Sequence, residues 1–274
     1  MTRIAVLQMT SGIDPEANCA AIVDALNEAA QGGAAMLFTP EMCSLLDRDR
    51  ARSAQHIVDE GANEPLQAIQ AACQQNGIWA ALGSVAVAGG AGKSANRSMV
   101  IDDQGVIRAL YDKMHMFDVD LDTGESWRES NAYQAGDEVV AVETPIGTLG
   151  LTICYDIRFP ALYQELGRHS CDVIAIPAAF TVSTGKDHWH VMQRARAIEA
   201  SAYVVAAAQV GQHEDGRATY GHSLVVDPWG KVILDMGEDA GLGFADIDPA
   251  RIVEVRTQLP SLANRRDIPK SPKQ

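Results

Sequence analysis

Apolar and polar positions along the chain switch repeatedly between short unbroken apolar runs and spacings of three or four, so strands and helices take turns. Ile4-Ala5-Val6-Leu7 lies in a first strand over residues 1–9. Asp14-Pro15-Glu16 then marks a helix start, with a capping side chain, a first-turn proline and an acid beside it. Ile22, Val23, Leu26 and Ala30 share one face of that helix, and Gly32-Gly33 ends it. The next apolar run, 35–39, reads as a strand and delivers Glu41. A second helix follows over about 64–75, with Leu66, Ile69 and Cys73 inward and Asn76-Gly77 as its stop. Strand 78–88 leads into Gly89-Gly90-Ala91-Gly92, a flexible loop that lacks the glycine spacing and following helix of a phosphate cradle.

Segments 96–101 and 106–111 flank Asp102-Asp103-Gln104-Gly105, a hairpin signal that presents Lys113. From 114 to 137 there is little periodicity, which predicts a long loop holding His115, Asp118, Asp120, Asp122, Glu125, Trp127, Arg128, Glu129 and Tyr133. Strands over 139–143 and 148–153 bring the chain to Cys154, and 159–168 reads as a short helix. Val173-Ile174-Ala175-Ile176 lies in a strand of the kind buried on both faces. A polar loop then runs to Gly185-Lys186-Asp187, and a helix follows His188-Trp189-His190 and passes through Met192, Ala195, Ile198 and Glu199. Trp189 is expected at a pocket wall or subunit contact, and Arg194, Arg196 and Glu199 as an internal ion-pair set. Strands at 203–209, 221–227, 231–235 and 243–247 follow, the middle two joined by Pro228-Trp229-Gly230. A short helix opens at Asp248-Pro249, and 260–274 reads as a polar, basic tail. Without repeat or linker, the pattern describes one α/β domain over 1–274; two mixed sheets with helices outside satisfy it, as other α/β layerings would.

Composition narrows the partners. With 22 Lys and Arg against 36 Asp and Glu, the net charge of −14 argues against a nucleic-acid backbone. The five cysteines are widely spaced with no C-x-x-C pair, which fits reduced thiols in the cytoplasm and no zinc-site pattern. His188 and His190 form an H-x-H pair without a third ligand at a recognisable spacing, so neither metal nor cofactor is expected. No apolar run reaches the roughly 20 residues that cross a bilayer, so no membrane partner is expected either.

Three strand ends carry chemistry. Phe38-Thr39-Pro40-Glu41 offers a carboxylate, Tyr111-Asp112-Lys113 an ammonium, and Thr152-Ile153-Cys154 a thiol just before a helix. Each alone has a plain reading as loop charge or core filler. Together they suit one sheet edge, where α/β folds place their sites, and the helix start would favour a thiolate at Cys154.

Phe38-Thr39-Pro40-Glu41, Tyr111-Asp112-Lys113-Met114-His115 and Cys154-Tyr155-Asp156-Ile157-Arg158-Phe159-Pro160 resemble the three signature blocks of the nitrilase superfamily of carbon–nitrogen hydrolases. The likeness runs from Arg3 to about Arg265. It implies a four-layer αββα sandwich, with Glu41 as general base, Lys113 as oxyanion stabiliser, Cys154 as nucleophile and Glu129 as a further site acid. It also implies a tail packed across a partner in a homodimer or higher homo-oligomer. The backbone N–H of Tyr155 would share the oxyanion.

Within the superfamily, Gly185-Lys186-Asp187-His188-Trp189, Arg194-Ala195-Arg196-Ala197-Ile198-Glu199 and Tyr220-Gly221-His222-Ser223 are most similar to deaminated glutathione amidases, with ω-amidases acting on α-ketoglutaramate close by. Both act on small amides carrying carboxylates, for which Arg158, Arg128, Lys186 and His188 are candidate partners. A non-catalytic scaffold and an N-acyltransferase are the competing classes. Retention of carboxylate, ammonium and thiol together speaks against the first, and the second wants an acceptor pocket or membrane segment.

Overall fold

Ile4 and Val6 point to one side of the first strand and Ala5 and Leu7 to the other, and all four are buried, so this strand is covered on both faces. The computed structural model describes residues 1–90, 92–121, 124 and 126–269; Ala91, Asp122, Glu125 and the 270–274 end of the expected tail lie outside the described residues. In chain order the first strands are β1 (Thr2–Gln8), β2 (Met36–Phe38), β3 (Trp79–Ala88), β4 (Ser94–Ile101) and β5 (Ile107–Asp112). Short strands follow: β6 (Asp118–Asp120), β7 (Ser126–Arg128), β8 (Tyr133–Gln134), β9 (Ala141–Thr144), β10 (Gly147–Leu151) and β11 (Val173–Ala175). The last are β12 (Tyr203–Ala206), β13 (Val210–Gln212), β14 (Ala218–Tyr220), β15 (Leu224–Val226), β16 (Val232–Asp235) and β17 (Gly241–Ile247). The helices are α1 (Pro15–Gln31), α2 (Arg50–Ser53), α3 (Glu64–Asn76), α4 (Pro160–Arg168), α5 (Val182–Ala200) and α6 (Pro249–Gln258).

Two mixed sheets form among the described residues. One has the order β17-β1-β2-β3-β4-β5 with β8 beside β4, and the other β16-β15-β12-β11-β10-β9. β1-β2-β3 and β10-β11-β12 run parallel, and hairpins flank them. Ile4, Val6, Phe38 and Tyr111 meet Leu149, Leu151 and Val173 in a core shared by the two sheets. Ala5, Leu37 and Leu82 face α1 and α3 through Ile22, Leu26, Leu66 and Ile69. On the second sheet, Gly150 admits α4: a Cβ there would stand 2.9 Å from Leu166. The architecture is the αββα sandwich.

Caps follow the sequence signals. Asp14 accepts from Glu16 and Ala17 at the start of α1, and Gly77 closes α3 in the left-handed region. The clearest departure is α5, which begins at Val182, so the expected polar loop through Gly185-Lys186-Asp187 is helical. Gly185 is there because a methyl group would overlap the Tyr220 ring, and this packing overrides poor local propensity. Trp189 is a core residue, against the expectation of a pocket wall or subunit contact: it is fully buried on Phe180 and donates to the His222 carbonyl at 2.7 Å. Arg196 pairs with Glu199 at 2.6 Å, whereas Arg194 leaves the expected set and donates to the Gly230 carbonyl at 2.8 Å. The expected loop after Met114 contains the β6–β7 hairpin and β8, and a second hairpin, β13–β14, interrupts what periodicity leaves as connection.

Candidate active site

Glu41 leaves β2 through a crossing that only glycine permits on the neighbouring strand. β3 is irregular between Leu82 and Val85, and Gly83 there passes so close to the Thr39 and Pro40 carbonyls that any side chain would overlap them. The Thr39 hydroxyl accepts from the Gly83 N–H at 3.0 Å, the Ser84 N–H donates to the Pro40 carbonyl, and the Ser84 hydroxyl accepts from Met42 N–H at 2.9 Å. Met42 is held at φ 55°, and the turn aims Glu41 inward.

Lys113 follows β5 directly, and its N–H donates to the Asn96 carbonyl on β4, so the sheet ladder fixes its Cα. Cys154 follows β10 at φ 47°, a left-handed conformation that costs a non-glycine residue on the order of 1 kcal/mol or more. The strain is held from both ends. Cys154 N–H donates to the Pro177 carbonyl at 2.8 Å, and Asp156 accepts the Ile153 N–H at 2.9 Å. Cys154 opens a short 3₁₀ turn, Cys154–Arg158, that runs into α4. This is a strand-to-helix junction, as the sequence predicts.

The three groups meet. Lys113 Nζ lies 2.9 Å from Glu41 Oε1 and 2.9 Å from Glu129 Oε2, and Cys154 lines the same cleft close enough to feel the charges of Glu41 and Lys113. The other Glu41 oxygen accepts the Ala179 N–H at 2.9 Å. Glu129 is further fixed by Phe117 N–H at 2.7 Å. Lys113 is only 2% exposed and Cys154 8%, so these charges interact outside bulk water.

Burial works against the Glu41 carboxylate, but the Lys113 ammonium and the bonds from Lys113 and Ala179 outweigh it and hold the acid below its usual 4.5. Burial also opposes the Lys113 charge, yet Glu129 and Glu41 push it well above 10.5. For Cys154 burial and the adjacent Glu41 charge act together, and Lys113 does not compensate, so the thiol lies well above 9.0. The expectation of a resting thiolate is thereby corrected: the helix start is outweighed by desolvation and the neighbouring carboxylate. A neutral thiol stands beside an ionised base.

Asn96 and Asp156, beside the cluster, escaped the sequence reading. Asn96 donates from Nδ2 to Glu41 at 3.0 Å and to Glu129 at 3.1 Å, while its buried Oδ1 has no partner. Asp156, fully buried, accepts from Tyr111 O–H at 2.7 Å and from His115 N–H at 3.0 Å. A strand asparagine carries no local signal; Asp156 lies inside the recognised cysteine block, and its burial was the missing information.

The cluster forms the floor of a cleft of about 1120 Å³, slightly beyond the roughly 300–1,000 Å³ of ordinary small-molecule sites. Tyr155 and Arg158 line it, and the Arg158 guanidinium stacks over Phe180 and lies 3.2 Å from His188 Nδ1. His188 therefore backs Arg158 and is not itself part of the wall. Lys186 is exposed on α5 and also outside the cleft lining. Arg128 reaches the rim but is tied to Asp120 at 2.7 Å. Arg48 and Arg217, absent from the candidate set, stack over the Trp127 indole at the cleft wall.

A buried carboxylate, ammonium and thiol under a cleft, at the strand ends of an αββα sandwich, define a thiol-dependent carbon–nitrogen hydrolase. The carbon–nitrogen hydrolase family model matches residues 3–257, and the chain belongs to that family, within the nitrilase superfamily. It is similar to a deaminated glutathione amidase from Synechocystis, 41% identical over 263 residues, which covers 95% of this chain and 97% of that protein. It is also similar to the deaminated glutathione amidase of Homo sapiens, 37% identical over 268 residues, 96% of this chain and 82% of the relative. Among solved structures it resembles the NitFhit protein of Caenorhabditis elegans, with a TM-score of 0.90 and 37% identity, covering 97% of this chain and 65% of that one.

Proposed function

We propose that the protein is an amidase that hydrolyses deaminated glutathione through a thioester on Cys154. The observation that carries the chemistry is the Glu41–Lys113–Cys154 cluster on one cleft, with the ammonium 2.9 Å from the carboxylate and both charges acting on the thiol. The substrate reading draws on the names of relatives matched over nearly their full length and on a cleft roomy enough for a tripeptide-sized molecule. As Cys154 Sγ attacks the amide carbonyl carbon, its proton passes to Glu41. Lys113 and the Tyr155 N–H hold the resulting oxyanion. Collapse breaks the C–N bond, with the Glu41 proton going to the leaving nitrogen. A water, deprotonated by the same carboxylate, then cleaves the thioester and restores the thiol. Glu129 holds Lys113 in place and touches no reacting atom in this scheme.

Arg158 is the proposed partner of a substrate carboxylate, since of the four sequence candidates it alone lines the cleft with no carboxylate of the protein bound to it among the described contacts. The same proposal makes the chain a single catalytic domain, cytoplasmic and homo-oligomeric. All five cysteines are unpaired, and Val191, Ile198 and Trp229 give an exposed apolar patch on α5 and the adjoining turn. No helix among the described residues is long and apolar enough to cross a membrane.

The test compares kcat/KM for deaminated glutathione, α-ketoglutaramate, an aliphatic amide and a nitrile, reading the 2-oxo acid for the first two and ammonia for the others, with intact-protein mass to detect acylation. Deaminated glutathione is expected to lead. A preference for α-ketoglutaramate reassigns the protein as an ω-amidase. No turnover together with no adduct at Cys154 ends the hydrolase reading in favour of a scaffold.

A further inference from the structure

We propose that His190, His222 and Asp235 form a binding site for one divalent transition-metal ion of the zinc class, outside the amide-hydrolysing cleft. One ligand atom from each lies within 4.8 Å of the other two. The sequence gives His190 only His188 as a neighbour, but on α5 those side chains diverge: His188 turns to Arg158, and His190 meets two residues from the far end of the second sheet.

The geometry is close to what a metal requires. Asp235 Oδ2 lies 3.0 Å from His190 Nε2, and Asp235 Oδ1 lies 2.9 Å from His222 Nδ1. Ligand–ligand edges in a tetrahedral zinc site with legs of about 2.0–2.1 Å are about 3.3 Å; the two hydrogen-bond distances fall short of that by a few tenths of an ångström and run to different oxygens, so the carboxylate must turn to present one oxygen or bind through both. What remains is for the two imidazoles, 5.1 Å apart between centroids, to close on one point. Their side chains are 36% and 20% exposed, which leaves rotamer freedom for that step and an open face for a water ligand.

The backbones that carry the ligands are fixed. His190 follows Trp189, the buried anchor of α5 whose indole N–H donates to the His222 carbonyl. His222 N–H donates to the Gly237 carbonyl at 2.7 Å, and its own backbone stands at φ 53°. The Asp235 carboxylate accepts the Gly237 N–H at 3.0 Å, an outer contact of the kind that orients a metal-bound carboxylate. Tyr220 stacks on the His222 ring at 4.6 Å, so the closing movement falls mainly to the more exposed His190. Two imidazoles and one carboxylate suit zinc, nickel or cobalt far better than calcium or magnesium, which prefer all-oxygen shells. In the bound form each neutral imidazole keeps its proton on the ring nitrogen away from the ion, and the two histidine–aspartate hydrogen bonds are exchanged for coordination. The ion would clasp α5 to the end of β16.

The experiment uses the full chain carrying Cys154→Ala, so that the thiol does not compete for metal, after dialysis against a chelator. Titration with Co²⁺ is followed by visible absorption and with Zn²⁺ by calorimetry. One equivalent per chain is expected, with at least a 100-fold loss of affinity in His190→Ala and in Asp235→Asn and a zinc-dependent rise in Tm that those variants lack. Circular dichroism establishes that the variants are folded, and His190→Gln, which keeps the helix and changes only the donor, serves where either is not. Absence of binding, or stoichiometric binding unchanged in the variants, overturns the proposal. Because no substrate is involved, the outcome is independent of the amidase reading.

Discussion

The Asp156 carboxylate accepts the Tyr111 phenol at 2.7 Å although one lies in the turn after β10 that carries the thiol and the other on β5 of the opposite sheet, two places before the ammonium. The same carboxylate accepts His115 N–H and Ile153 N–H, so it ties the backbone on both sides of the site. An amide at this position keeps one oxygen and turns an NH₂ toward existing donors. Asp156→Asn is therefore expected to lower stability by roughly 2–4 kcal/mol and to reduce kcat more than it raises KM. Urea unfolding with steady-state kinetics checks both. Tyr111→Phe removes one bond and should cost about 1 kcal/mol. Equal stability of the Asn variant and the parent would mean that the link between turn and strand is ornamental.

Lys113 sits almost wholly buried between two carboxylates at the base of the cleft. Lys113→Met removes the proposed oxyanion donor and is expected to lower kcat by about 100- to 1000-fold. It also leaves Glu41 and Glu129 without their shared cation, so stability should fall by roughly 3–5 kcal/mol near neutral pH. Acidification lets one carboxylate take a proton, so the stability gap between variant and parent should narrow as pH drops toward 5. A gap that stays constant with pH would place the loss in packing and not in charge.

The ionisation order sets the pH behaviour. Glu41 is held below 4.5, so its stabilising contribution is complete above 4.5 and drains away as pH falls through the lower folded value. Cys154 binds its proton more tightly folded than unfolded, so it costs stability only above about 9. Accordingly kcat/KM should be level from about pH 6 to 8.5, with an acid limb under Glu41 control and no thiol limb between. Asn96→Ala removes one donor from Glu41, which should move that limb to higher pH and lower kcat by about 10-fold. A limb that stays in place, with activity lost uniformly, would reduce Asn96 to a structural strut.

What the sequence displayed and what it hid follow from the range of the forces concerned. Asp14, Gly77 and the Asp102–Gly105 hairpin act within a few residues, and their elements appear where local chemistry puts them. Glu41, Lys113 and Cys154 were legible because three blocks in order resemble a family, not because any one stands out. The α5 start was hidden since Gly185 answers to Tyr220 on a distant hairpin. Asn96, Arg217 and the His190–His222–Asp235 group were hidden for the same reason: their partners are set by sheet order, which periodicity does not reveal. The protonated thiol needed burial and a neighbouring charge, quantities that exist only once the chain is folded.

Gly83 offers the sharpest separation of fold from function. A Cβ there would stand 2.5 Å from Pro177 Cβ and would overlap the Thr39 and Pro40 carbonyls, which together form the turn that aims Glu41. Pro177 also accepts the Cys154 N–H, so the same methyl presses on both halves of the base–thiol pair. The atoms overlapped are backbone carbonyls and a proline ring, not the end of a flexible side chain, so backbone must move to admit the methyl group. Gly83→Ala is thus expected to lower Tm strongly, at a cost of about 3 kcal/mol or more, and the kinetics are read on the protein that remains folded. A displacement of about 1 Å between the proposed base and nucleophile is enough for roughly a 100-fold loss of kcat. Ser84→Ala, which removes only the hydroxyl under Met42, should lose far less activity. Circular dichroism, thermal melting and single-turnover acylation of Cys154 measured by intact mass separate the outcomes: folded protein with slow acylation supports the account, and folded protein acylating at the parent rate rejects it.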